Sequence, residues 1–489
     1  MKPIEFRCSL DGATVPLPHV WEHVVGSCHA PLALRADYQA HVRRARLELG
    51  FQHVRFHGLL SDDMGTLVQP GTEKIYSFFN VHRVWDALLD AGIRPFVELS
   101  FMPTAIASGR ATVFRYRGNV TPPRDWDEWS ELIGRLVSSA VARYGAAEVE
   151  QWFFEVWNEP NLRAFWRGTR AQYFRLYREA ARAIKRVEPA LHVGGPATAQ
   201  NGWLEQFLDD CQRTRTPVDF VSTHHYPTDR VLHVDGGTEA QLAAMQRDIL
   251  REEAQDARRC AGNLPLFYTE WNTSADCRDP SHDEPYAAAF IIRTVLQANG
   301  LVDAYSFWTF SDIFEERYFP SIPFHGGFGL LTLHGVAKPS YRAFELLHRV
   351  GTELAVPVDG MHTNVAMWVI RGDARATLLL VNGAPPQHDV VPARALVHLG
   401  TRSRLRAATI ERIDDTHANA KRRWLEMGAP EYLRAADVDE LHLASMLRAE
   451  PCQPHCEDGG IHVDVELPPN SVVAVTLELS DSSAQARHG

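Results

Sequence analysis

The 489-residue sequence has no long apolar run and no cluster of positive charge. A membrane-spanning helix needs about 20 consecutive apolar residues, so no membrane partner is expected. The segment Met1–Arg7 lacks the apolar stretch of a secretory signal, which favours a cytoplasmic protein. The net charge is −11, and lysine and arginine are not grouped. This charge pattern argues against nucleic acid or an anionic membrane surface as the partner.

The sequence is also poor in cysteine and lacks a dinucleotide motif. Its seven cysteines are scattered, which indicates reduced thiols and not a disulfide framework. Cys452 and Cys456, with His455 between them, suggest a metal, but no second ligand pair lies near them in the sequence. No Gly-x-Gly-x-x-Gly follows the first predicted strand, which removes the usual dinucleotide fingerprint. We therefore predict neither a metal nor a cofactor.

Apolar runs alternate with helix-length segments from about residue 20 to 345. The runs lack strict alternation, as is typical of parallel strands buried on both faces. One intervening helix is predicted to begin at Asp125, with Glu128 completing a capping box. Eight such units in this span favour a (β/α)₈ TIM barrel over an open sheet. The predicted strands are His23–Gly26, Phe51–Gly58, Arg94–Ser100, Trp152–Asn158, His192–Pro196, Phe220–Tyr226, Leu266–Asn272 and Ala304–Phe310.

The pattern changes after residue 345. Short β-branched runs with turn residues between them predict an antiparallel β-sandwich. We therefore expect an α/β fold with a barrel catalytic domain over 14–345 and a C-terminal β-sandwich domain over 346–480. The sandwich is expected to carry a helical insertion near 418–447, and residues 1–13 to add a strand to it. Residues 481–489 are predicted to be a frayed tail.

Two glutamates follow predicted barrel strands, where the active sites of TIM barrels lie. Glu159 follows the fourth strand and Glu270 lies at the end of the seventh. Two carboxylates across a barrel mouth suit glycoside hydrolysis, one as proton donor and the other as nucleophile or stabiliser. A separation of about 5–5.5 Å would mean retention of configuration, and about 6.5–9.5 Å would mean inversion.

Several segments resemble, in order, those of glycoside hydrolase family 39 in clan A. The resemblance covers nearly the whole chain and is greatest to the β-xylosidases of that family. The segments that carry it are Trp157–Asn161 (WNEPN), Thr269–Asn272 (TEWN), Arg55–Gly58 with Asp62–Met64, Ser222–Asp229, Trp308–Glu316 and Arg412–Asn419.

The resemblance implies roles for individual residues. Glu159 would be the acid/base and Glu270 the nucleophile, with Arg55 behind Glu270 as an electrostatic support. Arg55 could equally be an ion-pair partner within the barrel. The remaining implied roles are Asn158 holding the sugar 2-hydroxyl, Tyr226 donating to Glu270 with His224 nearby, Trp308 forming the floor under the sugar, and His57, Glu315 and Glu316 binding other hydroxyls.

The implied function is a retaining exo-glycosidase that removes terminal β-D-xylosyl residues from xylo-oligosaccharides. The family also contains α-L-iduronidases, but the acidic pair Glu315 and Glu316 would repel a uronate. A β-glucosidase or α-L-arabinosidase activity on the same site stays open. A homo-oligomer also stays open.

Two alternatives come from other classes. A non-catalytic carbohydrate-binding barrel would have lost one of the two glutamates, and both are present. A metal-dependent hydrolase could use His57, His224 and His225, but the paired glutamate motifs would then be unexplained. The aromatic residues Phe101, Phe114, Tyr116 and Trp166 are left unassigned, because single aromatics after strands commonly serve packing.

Overall fold

The computed structural model describes residues 2–360, 362–457 and 459–480, so the tail predicted over 481–489 lies outside the described residues. Eight parallel strands form a closed barrel, which confirms the predicted (β/α)₈ architecture and all eight strand predictions. The barrel strands, numbered 1 to 8 in chain order, are Val25–His29, His53–His57, Arg94–Glu98, Phe153–Glu155, His192–Thr198, Phe220–His224, Leu266–Trp271 and Ala304–Phe307.

Helices surround the barrel and bury their apolar faces against it. Within the described residues no helix is long and apolar enough to cross a membrane. The α-helices are Ala36–Leu49, Phe79–Asp90, Trp126–Tyr144, Ala146–Val149, Arg170–Val187, Leu204–Thr214, Gly237–Ala244, Ile249–Ala261, Pro285–Gln297 and Pro339–Arg349. Short 3₁₀ turns cover Ala30–Leu34, Asp62–Met64, Ala199–Asn201 and Pro280–Asp283.

The start of the helix Trp126–Tyr144 differs from its prediction. Asp125 caps it by accepting a 2.8 Å hydrogen bond from the Asp127 N–H. Glu128 does not complete a capping box, because its carboxylate accepts a hydrogen bond from the Lys74 ammonium. An ion pair with a neighbouring loop thus replaces the expected local contact.

Two antiparallel-rich sheets form the C-terminal β-sandwich, which is confirmed as predicted. One sheet has the order Ile4–Ser9, Ala393–Gly400, Gly460–Leu467 and His455–Glu457. The other has the order Thr14–Pro16, Glu353–Ala355, Val365–Gly372, Arg375–Asn382, Ser471–Ser480, Arg404–Ile413 and Glu450–Pro451. Two further ribbons pair Leu67–Val68 with Ile75–Tyr76 and Thr112–Val113 with Gly118–Asn119.

The N-terminal segment belongs to the sandwich. Ile4–Ser9 pairs in parallel with Ala393–Gly400, and Thr14–Pro16 pairs with Glu353–Ala355. We propose that the barrel domain begins after Pro16, slightly later than the sequence suggested. The helices Ala420–Glu426 and Ala435–Ala444 lie in the region of the expected insertion.

The barrel interior is layered. Phe96, Phe153, Phe220 and Phe267 pack together near the N-terminal ends of the strands, with ring centroids 4.8–6.3 Å apart. Side chains on one face of a strand recur every second residue, so the next inward layer contains residues two positions further along each strand. That layer is charged and polar, and it lies beneath the barrel mouth.

Candidate active site

Glu159 and Glu270 meet at the C-terminal mouth of the barrel. One carboxylate oxygen of each lies within 4.8 Å of the other. Their side chains are 11% and 6% exposed, so both are nearly enclosed. Glu159 lies in a turn with φ 42°, and its N–H donates to the Ala197 carbonyl at 2.8 Å. This separation is closer to the range of about 5–5.5 Å for retaining glycosidases than to the range of about 6.5–9.5 Å for inverting ones.

Thr269 and Glu270 are adjacent in sequence, yet both side chains reach the barrel interior. Thr269 Oγ1 donates to Glu155 Oε1 at 2.8 Å, and Glu270 accepts from Arg55. Strict alternation would place the two on opposite faces. The strand pairing is irregular between Tyr268 and Trp271, and such irregularities redirect side chains next to active sites.

Glu270 accepts hydrogen bonds on both of its oxygens. Arg55 Nη1 lies 2.8 Å from Oε1, and the Tyr226 hydroxyl lies 3.1 Å from Oε2. Donors to a carboxylate stabilise its ionised form. The environment of Glu270 therefore suits a nucleophile.

Arg55 is the cation of a fully buried charged layer. Besides Glu270 it contacts Glu155 Oε2 at 2.6 Å, Glu98 Oε2 at 2.8 Å and Asn158 Oδ1 at 2.9 Å. Burial alone would lower the pKa of Arg55, but these carboxylates raise it above its ordinary value. Both interpretations of Arg55 left open by the sequence therefore describe real contacts, since it pairs within the barrel and supports Glu270.

Glu159 differs from Glu270 in its electrostatic environment. Burial raises the pKa of Glu159 to about 7, against the opposing effect of His57 and Arg55. A carboxylic acid with a pKa near neutral pH can hold a proton and release it during turnover. This is the property that the acid/base role requires.

A hydrogen-bond chain connects Glu159 to the charged layer through His224. His224 Nδ1 lies 3.0 Å from Glu159 Oε1, and Nε2 lies 3.1 Å from Thr269 Oγ1. The Thr269 hydroxyl has one proton, which it donates to Glu155. Toward His224, Thr269 Oγ1 can therefore only accept a hydrogen bond. Burial lowers the pKa of His224 to about 4, so the ring is neutral at pH 7. Nε2 therefore carries the proton, and the Nδ1 lone pair faces the protonated Glu159.

His57, Glu316 and Trp308 lie beside the two glutamates. His57 Nδ1 is 2.7 Å from Glu98 Oε2, and its Nε2 is 3.7 Å from both Glu270 Oε1 and Glu316 Oε1. Burial would lower the pKa of His57, but the charge of Glu98 raises it. Burial raises the pKa of Glu316 to about 8. The Trp308 ring centroid is 4.7 Å from that of His57, so these three groups form one wall.

An aromatic hairpin tip covers this wall. Phe114, in the turn between Thr112–Val113 and Gly118–Asn119, stacks on His57 with ring centroids 6.0 Å apart. It also packs edge-on against Phe165 at 5.3 Å. The tip therefore closes one side of the mouth.

Not every predicted site residue joins the pair of glutamates. Glu315, expected from the resemblance to bind a sugar hydroxyl, has its Oε1 3.0 Å from His29 Nδ1 and its Oε2 3.7 Å from Arg115 Nη1. His225 points away from the site, since successive side chains of a strand project to opposite faces, and its Nε2 lies 2.9 Å from the Tyr305 hydroxyl. The structure brings together the other predicted residues: Glu159, Glu270, Asn158, His224, Tyr226, Trp308, His57, Glu316 and Arg55.

Buried residues that the sequence interpretation missed support the site. Glu98 and Glu155 could have been found, because each is a lone acid within an apolar strand run. Gly26 makes room for the indole, since a Cβ there would lie 2.5 Å from Trp308 Cε3. No sequence signal marked Gly26.

A second buried ion cluster fixes the loop after strand 8, which carries Glu315 and Glu316. Lys338 Nζ lies 2.7 Å from both Asp283 Oδ1 and Asp312 Oδ2, and all three side chains are buried. Burial would lower the pKa of Lys338, but the two aspartates raise it. Asp312 Oδ1 also accepts from the Gly329 N–H at 2.8 Å, which ties two parts of the loop together.

Glu159, His224 and Glu270 could in principle ligate a cation, since their ligand atoms lie within 4.8 Å of one another. However, the Arg55 guanidinium already lies 2.8 Å from Glu270 Oε1. A metal ion would have to compete with this fixed positive charge. The geometry therefore favours the carboxylate pair over a metal centre.

Comparison with known proteins gives consistent matches over nearly the full chain. The model of glycosyl hydrolases family 39 matches residues 7–462. A β-xylosidase of Caldicellulosiruptor saccharolyticus is 44% identical over 94% of this chain and 95% of its own. A β-xylosidase of Geobacillus stearothermophilus is 37% identical over 94% of this chain and 92% of its own. The crystal structure of a GH39 enzyme from Xanthomonas axonopodis pv. citri has 32% identity and a TM-score of 0.84, with 98% of each chain covered.

Proposed function

This chain belongs to glycosyl hydrolases family 39, and from that premise we propose that it is a retaining exo-β-xylosidase acting on xylo-oligosaccharides. The observation that carries the mechanism is the pair Glu159 and Glu270, with oxygens within 4.8 Å of each other and unlike surroundings. Arg55 and Tyr226 hydrogen-bond to one carboxylate, while burial raises the pKa of the other to about 7.

In the first step Glu270 attacks the anomeric carbon of the terminal sugar. The bond from that carbon to the leaving oxygen breaks as Glu159 gives its proton to the oxygen. The anomeric carbon becomes bonded to Glu270 Oε1 or Oε2, and Glu159 becomes a carboxylate. Arg55 and Tyr226 hold Glu270 in place for this attack.

In the second step the roles reverse. Glu159 takes a proton from a water molecule, whose oxygen attacks the anomeric carbon and displaces Glu270. Two inversions give net retention, and both glutamates return to their starting protonation states. The Asn158 side chain, fixed by Arg55 Nη2 at 2.9 Å, is proposed to bind the sugar 2-hydroxyl, where contacts strengthen in the transition state.

The shape and charge of the wall support a neutral pentose as the terminal sugar. Trp308 offers an indole face, and His57 and Glu316 offer polar atoms for hydroxyls. A uronate would add a negative charge near Glu270. Arg55, which contacts Glu270, is already paired with three carboxylates. This favours a xyloside over an iduronide, and the covering hairpin tip favours exo action.

The test is hydrolysis of p-nitrophenyl β-D-xylopyranoside by wild type, Glu159→Ala and Glu270→Ala, each with and without azide. Both variants should lose most of their turnover. Azide should restore it, giving the β-xylosyl azide with Glu159→Ala and the α-xylosyl azide with Glu270→Ala. The matched control is Glu315→Ala, whose carboxylate binds His29 outside the pair and should give no azide product.

The outcomes separate the substrate from the mechanism. If the wild type does not hydrolyse the xyloside but cleaves an arabinoside, glucoside or iduronide, only the proposed sugar is wrong. Full activity in both Ala variants would overturn the roles of the glutamates. Binding of xylo-oligosaccharides without turnover would instead indicate a carbohydrate-binding barrel.

A further inference from the structure

Three histidines lie side by side on the outer face of the four-stranded sandwich sheet. His398 pairs across the strands with His462, and His462 pairs with His455. Residues directly opposite each other project from the same face of a sheet. The fold therefore aligns His398 with two histidines, His455 and His462, that lie more than fifty residues further along the chain.

Two of the rings already meet through their nitrogens. Nδ1 of His398 lies 2.8 Å from Nδ1 of His462, with ring centroids 5.0 Å apart. Two nitrogens on a tetrahedral zinc ion, each about 2.0–2.1 Å from the metal, lie about 3.3 Å apart. A shift of a few tenths of an ångström would let both nitrogens bind one ion.

The third imidazole lies near these two rings and is largely exposed. The His455 ring centroid lies 6.4 Å from that of His462. Its side chain is 71% exposed, and its Nε2 lies 3.0 Å from Glu457 Oε2. Rotation toward His462 would add a third nitrogen, and Glu457 would bring a carboxylate oxygen. A surface cleft of about 490 Å³ is lined in part by His398, His462 and Glu457.

The cysteine next to His455, Cys456, does not contribute to this cluster. Cys456 pairs with Ile461, whose side chain is buried in the sandwich, so Cys456 projects from the opposite face to His455. The cluster is therefore a nitrogen and oxygen site. Imidazole ligands suit Zn²⁺, Ni²⁺ and Cu²⁺, whereas Mg²⁺ and Ca²⁺ prefer all-oxygen sites.

We propose that His398, His462 and His455, with Glu457 as a fourth ligand, form a binding site for a divalent transition-metal ion such as Zn²⁺ or Ni²⁺. The strand His455–Glu457 is three residues long and pairs only with Gly460–Leu467 in this sheet. The ion links this edge strand to two interior strands. Because it binds the folded state, it also stabilises the sandwich in proportion to its concentration and affinity.

The test is calorimetric titration of the untagged, chelator-stripped full-length protein with Zn²⁺ and separately with Ni²⁺. Wild type should bind one ion. His398→Ala and His462→Ala should each weaken binding at least tenfold, and His455→Ala should weaken it less. The control is His233→Ala, which removes another exposed histidine and should leave binding unchanged. Xyloside hydrolysis should be equal in all five proteins, which keeps this test separate from the proposed function.

His455→Ala changes a largely exposed side chain, so it gives an answer even if an interior-strand variant fails to fold. Absence of saturable binding would overturn the proposal. Binding that persists unchanged in the His398→Ala and His455→Ala variants would also overturn it. Such binding would place the ion elsewhere, for example between Glu159, His224 and Glu270.

Discussion

Replacing Thr269 by valine removes the acceptor of the His224 Nε2–H while keeping the shape of the side chain. In the wild type that acceptor fixes the proton on Nε2 and turns the Nδ1 lone pair toward Glu159, 3.0 Å away. A lone pair at this position favours protonated Glu159. Without Thr269 Oγ1 the neutral ring can place its proton on Nδ1 instead, where it donates to the Glu159 carboxylate. The substitution should therefore lower the pKa of Glu159.

The size of this shift follows from the energy of the new hydrogen bond. A hydrogen bond to a charged group contributes about 1.5–3 kcal/mol, and one pKa unit corresponds to about 1.4 kcal/mol, so the shift is roughly one to two units. The starting pKa of Glu159 is about 7. Because Glu159 must be protonated for the first step, the activity declines as the pH rises above this pKa. In the valine variant the decline should begin one to two units lower.

The assay is kcat/KM against pH with phenyl β-D-xylopyranoside, whose leaving group needs protonation, because kcat/KM reports the free enzyme. Thr269→Ser keeps the hydroxyl and should keep the wild-type profile. A substrate with a dinitrophenol leaving group needs little acid assistance and should show a weaker high-pH decline in all three proteins. If the valine variant is folded and its high-pH limb coincides with that of wild type, His224 does not control Glu159 through its tautomer.

Two further predictions concern the support of the site. Gly26→Ala places a methyl group 2.5 Å from Trp308 Cε3, so the indole must move, and KM for the xyloside should rise severalfold with the fold intact by circular dichroism. Unchanged kinetics would show that the indole position is not critical. Lys338→Met leaves Asp283 and Asp312 buried without a cation. This should lower the free energy of unfolding by about 3–5 kcal/mol and lower the melting temperature. Lys421→Met, which breaks a more exposed pair, should change it little, and equal losses in both variants would contradict the argument.

The sequence predicted the barrel, the sandwich and the two glutamates because each depends on a rule that operates along the chain. Buried parallel strands give continuous apolar runs, and the C-terminal ends of such strands converge in a barrel. Glu159 and Glu270 therefore had to lie near each other once the eight strands were recognised. The resemblance to family 39, and not this rule, pointed to His57 and Trp308.

Other features depend on contacts between distant segments, which a single sequence does not reveal. Glu315 and Glu316 are adjacent in the sequence, yet Glu315 contacts His29 of strand 1 and does not join the wall formed by His57, Glu316 and Trp308. The strand irregularity that turns both Thr269 and Glu270 inward leaves no signature in residue type. The three aligned histidines of the sandwich became visible only when the strand register was known.

The proposed division of roles between Glu159 and Glu270 likewise depends on the fold. Both are glutamates at strand ends, and both are nearly enclosed. Glu270 receives hydrogen bonds from Arg55 and Tyr226, which favour a carboxylate. Glu159 faces a neutral His224 in a buried setting, which favours a carboxylic acid. One buried arginine serves several carboxylates, so the contacts it makes decide which glutamate is stabilised as an anion. The roles of Glu159 and Glu270 therefore depend on their neighbours, Arg55 and Tyr226 at Glu270 and His224 at Glu159, because the two residues are chemically identical.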